Sequence, residues 1–477
     1  MSKHYDLVVI GSGPAGEKGA AQAAYFGKKV CIIEKMRQVG GASLNTGTLP
    51  SKTLRESALV LTGLRDRGFQ SATLEVRRQV SVGEFMYRKR FVVDKERERI
   101  ERNIERHNAD LLYGTAAFVD ANTVDVRRRS GGHETITGDV FLIATGSMPF
   151  RPTHIPFDDR EVYDSDTILD IDRIPTSMAV VGGGVIGCEY ASVFSALGTK
   201  VTLIENRDRL LPFLDQEIGD ALHRALEGLG VNVMLEEELE KCELVGKEDV
   251  HITLKSGRTL TTDKLLWAQG RMGCTEALNL GAVGVEANKR GQIQVNKHFQ
   301  TSQPHIYAAG DVIGIPALAS TSMEQARVAI CHAFNIGYKT KVSEVLPFGL
   351  YTVPEASFVG ETEEAARARA PVTTLTGRAK FRDNARGQII GDADGMLKLV
   401  FEAPTGRLLG VHIIGERATE LIHVGSLALQ KNCTIHEFID MVFNFPTLSE
   451  TYKYAAYDGL GQLERYLKDH KDKSQTL

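Results

Sequence analysis

The feature that most constrains this chain is a unit that occurs twice. Tyr5–Ile10 is a short apolar run of the kind that makes a buried parallel strand, and it leads into Gly11-Ser-Gly13-Pro-Ala-Gly16 and an alanine-rich stretch. A second apolar run, Val30–Ile33, ends in Glu34. The same order returns later: Met178–Val181, then Gly182-Gly-Gly184-Val-Ile-Gly187, an alanine-containing stretch, and Val201–Ile204 ending in Glu205. The interval from first glycine to closing acid is the same in both copies, and Gly27 or Gly198 stands shortly before each second strand. One such glycine pattern is weak evidence, but two with strand, helix, strand and acid in register are strong. The first glycine permits a tight turn, the second lets the backbone approach a pyrophosphate, and the third lets helix and strand pack closely. The helix N-terminus offers N–H groups and partial positive charge to phosphate, and the closing acid accepts hydrogen bonds from a ribose diol. The expected fold is therefore α/β with two Rossmann-like dinucleotide-binding domains. The alternative, two glycine-rich turns without a ligand, leaves both acids unexplained.

Two dinucleotide sites in one chain suggest one tightly held flavin and one exchangeable nicotinamide nucleotide. Two strand ends point to FAD at the first copy. Leu142-Ile-Ala-Thr145-Gly146 ends in a small turn, and His305-Ile-Tyr-Ala-Ala-Gly310-Asp311 ends in an acid that suits a ribityl chain.

A length of 477 residues exceeds one core and suits about three domains. The net charge is only −4 and no single-sign block occurs, so neither nucleic acid nor an anionic membrane is the expected partner. No apolar run approaches a bilayer span, and the first strand begins too early to leave room for a signal peptide. The 6 cysteines lack CxxC or zinc spacing, which suits a reducing cytoplasm. Cys31 and Cys188 read as small core residues, and His332, His412 and His423 as structural rather than metal-ligating. No metal is expected. Phe85–His107 reads as a solvated helix with apolar residues at helical intervals. From about residue 346 the pattern changes. Val353–Gly360, Leu397–Phe401 and Val411–Ile414 read as strands, Thr419–Leu429 and Ile435–Val442 as helices, giving an α+β domain. The polar tail His470–Leu477 reads as frayed.

With Gly40-Gly41, Pro50-Ser-Lys52, Thr145-Gly146, Gly187-Cys-Glu189, Gly270-Arg271, Gly310-Asp311 and Pro446-Thr-Leu-Ser-Glu450, the chain resembles the pyridine nucleotide–disulfide oxidoreductases over almost its whole length. The resemblance implies an FAD-binding domain over 1–150, an NAD(P)-binding domain over 151–272, a return to the FAD domain over 273–345, and a C-terminal α+β dimerisation domain over 346–477. It thus implies a homodimer or a higher homo-oligomer. It also implies cofactor contacts at Lys35, Gly41, Ser43, Lys52 and Ala116, beside the glycines and acids already named. Lys52 and Glu189 come from different domains, and in the family their counterparts meet beside flavin N5, where a positive charge stabilises the anionic reduced ring.

Two departures decide the expected function. Ser43 and Thr48 stand where the family has its two redox cysteines, and a hydroxyl forms neither a disulfide nor a thiolate adduct. Phe445 stands where the family has its acid–base histidine, although Glu450, the residue that orients it, remains. The whole thiol relay is missing, so electrons must leave from the flavin itself. Within the family, Gly13-Pro-Ala-Gly-Glu17, Asn206-Arg207-Asp208-Arg209-Leu-Leu, Phe213-Leu-Asp-Gln-Glu217 and Phe443-Asn-Phe-Pro-Thr447 are similar to the soluble pyridine nucleotide transhydrogenases. That resemblance implies hydride exchange between NADP(H) and NAD(H) by a ping-pong route. An NAD(P)H:quinone reductase shares the first half-reaction, and a non-enzymatic flavin-binding subunit is a third reading that Lys52 and Glu189 argue against. Glu205 favours the free 2′-OH of NAD and repels the 2′-phosphate of NADP. Arg207 and Arg209 are either phosphate ligands or two solvated loop arginines.

Overall fold

The computed structural model describes residues 3–62, 81–246, 249–369 and 373–474. Both repeats fold as strand, helix and strand. In the first, β1 (Lys3–Ile10) leads through the glycine turn into α1 (Pro14–Tyr25), and β2 (Val30–Glu34) pairs parallel to β1. The helix Thr48–Leu61 follows as α2. In the second, β3 (Ser177–Val181), α3 (Val185–Ala196) and β4 (Lys200–Ile204) repeat the arrangement, with β3 and β4 parallel.

β1 lies between β2 and the strand His133–Ile143, and Ile306–Ala308 extends the parallel sheet on the far side. The chain therefore comes back to its first sheet after building the second. Asp110–Asp120 flanks β2 and turns back through Thr123–Arg128 in an antiparallel meander. The second sheet is wholly parallel, in the order Asn232–Met234, β4, β3, Lys264–Trp267, Val162–Asp164. Strands covered on both faces read as continuous apolar runs, as Leu7–Ile10 and Met178–Val181 do, and all eight of these side chains are buried. Each of them except Ala179, a single methyl, contributes about 1.5–3 kcal/mol on removal from water.

Residues beyond 346 form an antiparallel sheet, ordered Phe348–Leu350, Ala356–Gly360, Leu408–Ile414, Met396–Ala403, Thr373–Lys380, against which the helices Ala418–Gln430 and Thr451–Ser474 pack. The strand expected from Val353 begins only at Ala356, and the helix expected to reach Val442 stops at Asp440. The tail is not frayed from His470: the last helix continues to Ser474, and 475–477 lie outside the described residues. The charged segment is a helix, Val82–Arg106, closed by a Ser81–Glu84 capping box, with Val93, Ile100 and Ile104 on its buried stripe. Among the described residues, no helix is long and apolar enough to cross a membrane.

One apolar core joins the parts. Leu54 and Ala58 of α2, Tyr190, Ala191 and Phe194 of α3, and Leu350 and Ile414 of the C-terminal sheet belong to the same buried cluster. The two helices that carry Lys52 and Glu189 are thereby packed together.

Candidate functional site

The two glycine turns are built alike. Gly11 and Gly182 have φ of 103° and 112°, in the left-handed region that favours glycine. A Cβ on Gly16 would lie 1.9 Å from the Gly11 carbonyl oxygen, and one on Gly187 would lie 1.8 Å from that of Gly182, so strand and helix touch backbone to backbone. The middle glycines differ: the nearest atom to a Cβ on Gly13 is Gly41 Cα at 3.8 Å, and Gly184 meets nothing within 4 Å. Gly13, Gly47 and Gly184 begin α1, α2 and α3 with no side-chain cap, which leaves the first-turn N–H groups to face whatever approaches. This open cradle fits a pyrophosphate.

The closing acids sit alike too. Glu34 accepts Ser12 N–H at 2.9 Å, the Ser12 hydroxyl at 2.5 Å and Met36 N–H at 2.7 Å. Glu205 accepts Gly183 N–H at 2.6 Å and Arg207 N–H at 3.0 Å, and Arg207 closes on it with its guanidinium. Burial opposes ionisation of Glu205, but the guanidinium and the two N–H donors outweigh it and hold the carboxyl below the usual range. Of the two candidate phosphate ligands, Arg209 instead donates to Leu214 O at 3.1 Å.

Two further predicted residues, Arg271 and Asp311, meet through Ser147 around one turn. Arg271 donates from Nε to Ser147 Oγ at 2.9 Å and from Nη2 to Ser147 O at 2.8 Å, and Ser147 Oγ donates to Asp311 at 2.8 Å. The antiparallel pair Ser147–Pro149 with Arg271–Gly273 sets this register beside Gly146 and Gly270. Thr145 Oγ1 is buried there without a hydrogen-bond partner among the described residues. A buried hydroxyl left unpaired at a strand end is what a polar ligand would satisfy. With the open cradle below Gly13 and the acid at Glu34, it fits FAD at the first copy.

Lys52 Nζ donates to both carboxylate oxygens of Glu189, at 2.8 and 2.6 Å. Glu189 is 7% exposed and Lys52 25%, so the ammonium is the side of the pair that faces outward. Tyr351 N–H adds a bond to Glu189 at 3.0 Å, and the Tyr351 ring lies 4.9 Å from Lys52 Nζ. Arg55, one turn along α2, donates to Thr352 O at 2.8 Å, and Ser192 of α3 accepts Val353 N–H at 3.1 Å. Residues 351–353 thus bind both helices, which is why the expected strand starts late. Ser12, Ser147, Arg55 and Tyr351 were not expected from sequence. Ser147 adjoins a recognisable turn, but nothing in the spacing around Tyr351 marks it.

Other predicted residues are placed less centrally. Gly41 packs against Gly13, its Cβ position 2.7 Å from Gly13 Cα. Ser43 lies in the short helix Gly41–Asn45, and Thr48 is the first residue of α2. Lys35 is exposed at the end of β2. Glu34 faces Tyr113 in parallel register, so Ala116 lies three residues past it, beyond the carboxyl end of β2, with its side chain in the core. Glu450 makes no hydrogen bond or ion pair with Lys52 or Glu189 among the described residues; its segment, Pro446–Ser449, lines a cavity of about 520 Å³ with Glu56 and Glu355. All 6 cysteines are free. Burial pushes the Cys31 thiol up to about 12 and raises that of Cys188, as for inert core residues. His412 is fully buried with Nε2 2.9 Å from Glu361 O, and His332 stacks on His298.

The family profile described as pyridine nucleotide-disulphide oxidoreductase matches residues 5–330, and that of the same family's dimerisation domain matches residues 346–456. A soluble pyridine nucleotide transhydrogenase of Mycobacterium bovis (strain BCG / Pasteur 1173P2) is 44% identical over 97% of this chain and 98% of its own. A protein of the same name from Vibrio atlanticus is 42% identical, covering 97% and 99%. Among solved structures, the HOCl-induced flavoprotein disulfide reductase RclA of Escherichia coli, as its Cu(II) complex, superposes with a TM-score of 0.87 at 28% identity, covering 96% of this chain and 99% of that one. LpdA of Mycobacterium tuberculosis gives a TM-score of 0.87 at 26% identity over 95% and 99%.

Proposed function

Because this chain belongs to the pyridine nucleotide-disulphide oxidoreductase family, we infer its chemistry from which of that family's parts it keeps: it is an FAD-dependent NAD(P)+ transhydrogenase. The observation that carries this is the intact Lys52–Glu189 pair beside a segment where Ser43 and Thr48 replace the thiols. FAD, when bound, supplies a hydride acceptor that becomes a hydride donor to the next nucleotide. The residues do the rest. The first turns of α1 and α3 hold the two pyrophosphates through Gly11, Gly13 and Gly16, and through Gly182, Gly184 and Gly187. Glu34 takes the adenosine ribose of FAD, and Glu205 that of the nicotinamide nucleotide. Lys52 supplies a fixed positive charge where negative charge develops, and Glu189 keeps that ammonium in place. Thr145, Gly146, Gly270, Arg271, Gly310 and Asp311 line the path of the flavin chain, Ser43 stands with Lys52 toward the ring, and Lys35, Gly41 and Ala116 line the adenosine and pyrophosphate end. Glu450, with no proton-carrying side chain at Phe445 to orient, is assigned no step.

One exchangeable site then serves donor and acceptor in turn, because no thiol passes the electrons elsewhere. The division into 1–150, 151–272, 273–345 and 346–477 is proposed with these roles, as are a homodimer built on the C-terminal domain and a cytoplasmic location. Anaerobic titration with NADH tests the missing relay. Uptake of two electrons per flavin is expected, with no long-wavelength thiolate–flavin band. Uptake of four electrons per flavin would contradict it.

A further inference from the structure

The two copies differ in what covers the closing acid. Around Glu34 the donors are two backbone N–H groups and the Ser12 hydroxyl, and Glu34 forms no ion pair among the described residues. Around Glu205 the two backbone donors are kept, and a guanidinium takes the rest: Arg207 Nε donates to Oε1 at 2.8 Å and Nη2 to Oε2 at 2.8 Å. Each oxygen of Glu205 therefore already holds two donors. A carboxylate offers about four lone-pair sites, so a ribose diol finds none until the guanidinium leaves. The arginine is the part able to leave, because its side chain is 45% exposed while that of Glu205 is 3%. In the closed position Arg207 uses only Nε and Nη2 toward Glu205, and its Nη1 has no partner among the described residues. Outward N–H groups on a neutralised carboxylate are suited to a phosphate dianion.

We propose that Arg207 is a two-position selector for the exchangeable nucleotide: closed on Glu205 it presents its outward N–H groups to the 2′-phosphate of NADP(H), and swung away it yields Glu205 to the 2′-OH of NAD(H). This rests on the reading that the second copy holds the exchangeable nucleotide. It resolves an electrostatic conflict, because an acid at this position alone repels the phosphate that a transhydrogenase must accept. The closed pair removes that repulsion without deleting the acid. When the pair opens, Glu205 keeps its two backbone N–H bonds and passes its remaining lone pairs to the ribose diol.

The test uses the oxidised FAD-loaded enzyme and measures dissociation constants for NAD+ and NADP+ at one stated salt concentration, in wild type, Arg207→Ala, Arg207→Lys and Glu205→Gln. Arg207→Ala is expected to weaken NADP+ on the order of ten- to hundredfold, the range for lost charge-assisted bonds. The same variant is expected to tighten NAD+ by up to about fivefold, because no ion pair has to open. Glu205→Gln is expected to weaken NAD+, whose 2′-OH loses a charged acceptor, and Arg207→Lys, a point charge without the fork, falls between wild type and Arg207→Ala for NADP+. Opposite movements of the two constants in Arg207→Ala support the selector. Movement of both in the same direction in an Arg207→Ala enzyme that keeps FAD overturns it and leaves the transhydrogenase reading, which rests on Lys52 and Glu189, standing. If no variant moves either constant while the wild type binds both, the placement of the nucleotide at the second copy fails together with the selector.

Discussion

At the scale of single residues, the proposed chemistry rests on one ammonium and its surroundings. Lys52 is fixed by two contacts to Glu189 and by the Tyr351 ring, and Glu189 is in turn fixed by the Tyr351 N–H. A group held from three sides before the cofactor arrives needs no reorganisation when charge develops beside it. Lys52→Met is therefore expected to leave FAD bound and lower its reduction potential, by an amount equivalent to about 1–3 kcal/mol. Spectroelectrochemistry of the purified variant reads this directly, and an unchanged potential would mean that Lys52 does not face the ring. Lys52 and Glu189 were legible because each sits in a short, distinctive motif. The Arg207–Glu205 clamp was only half legible. Both residues could be named from sequence, yet side-chain direction decides whether Arg207 covers the acid or points to solvent, and adjacency along the chain does not encode that direction.

At the scale of elements, the glycine turns carry the assignment of cofactors to copies. Gly16 and Gly187 occupy equivalent contacts, each with backbone oxygen inside the space of a Cβ. Adding a methyl group forces α1 or α3 away from its strand and tilts the N–H groups that face the phosphates. Gly16→Ala is expected to yield a protein purified without its yellow cofactor, whereas Gly187→Ala keeps the flavin spectrum and loses affinity for both nicotinamide nucleotides. Absorbance of the purified variants and nucleotide titration measure the two effects, and the reverse pattern would exchange the assignments. These elements were readable because a buried parallel strand, a glycine turn and an acid each obey a local rule. The late start of the strand at Ala356 was not. Its sequence has strand character from Val353, but Arg55 and Ser192 draw Thr352 and Val353 into bonds with α2 and α3, a tertiary demand that local propensity does not carry. The same limit explains the tail, where polar composition suggested fraying but Leu463 packs in the core and anchors the last helix.

At the scale of the molecule, the single core running from α2 through α3 to Leu350 holds the helix that carries Lys52, the second sheet and the C-terminal sheet in fixed relation. A second tie is ionic. Lys398 and Asp215, from the C-terminal and second sheets' surroundings, are both buried, with contacts of 2.9 Å to each carboxylate oxygen. Such a pair specifies how the parts dock more than it adds stability. This fixed relation brings Lys52 of α2 and Glu189 of α3 within hydrogen-bond distance. In the proposed route it leaves the flavin with one exchangeable partner site and no thiol outlet. The order of the parts was legible from the repeat and the motifs, but the bridging core was not, because it joins residues far apart in sequence. The central claim is that a hydride enters and leaves through nicotinamide nucleotides alone. The most direct test is anaerobic steady-state turnover with NADPH as donor and a spectrally distinct NAD+ analogue as acceptor, beside a quinone in a parallel assay. The account predicts sustained reduction of the NAD+ analogue, at a rate above that with the quinone. Steady quinone reduction with no transfer to the analogue would contradict it.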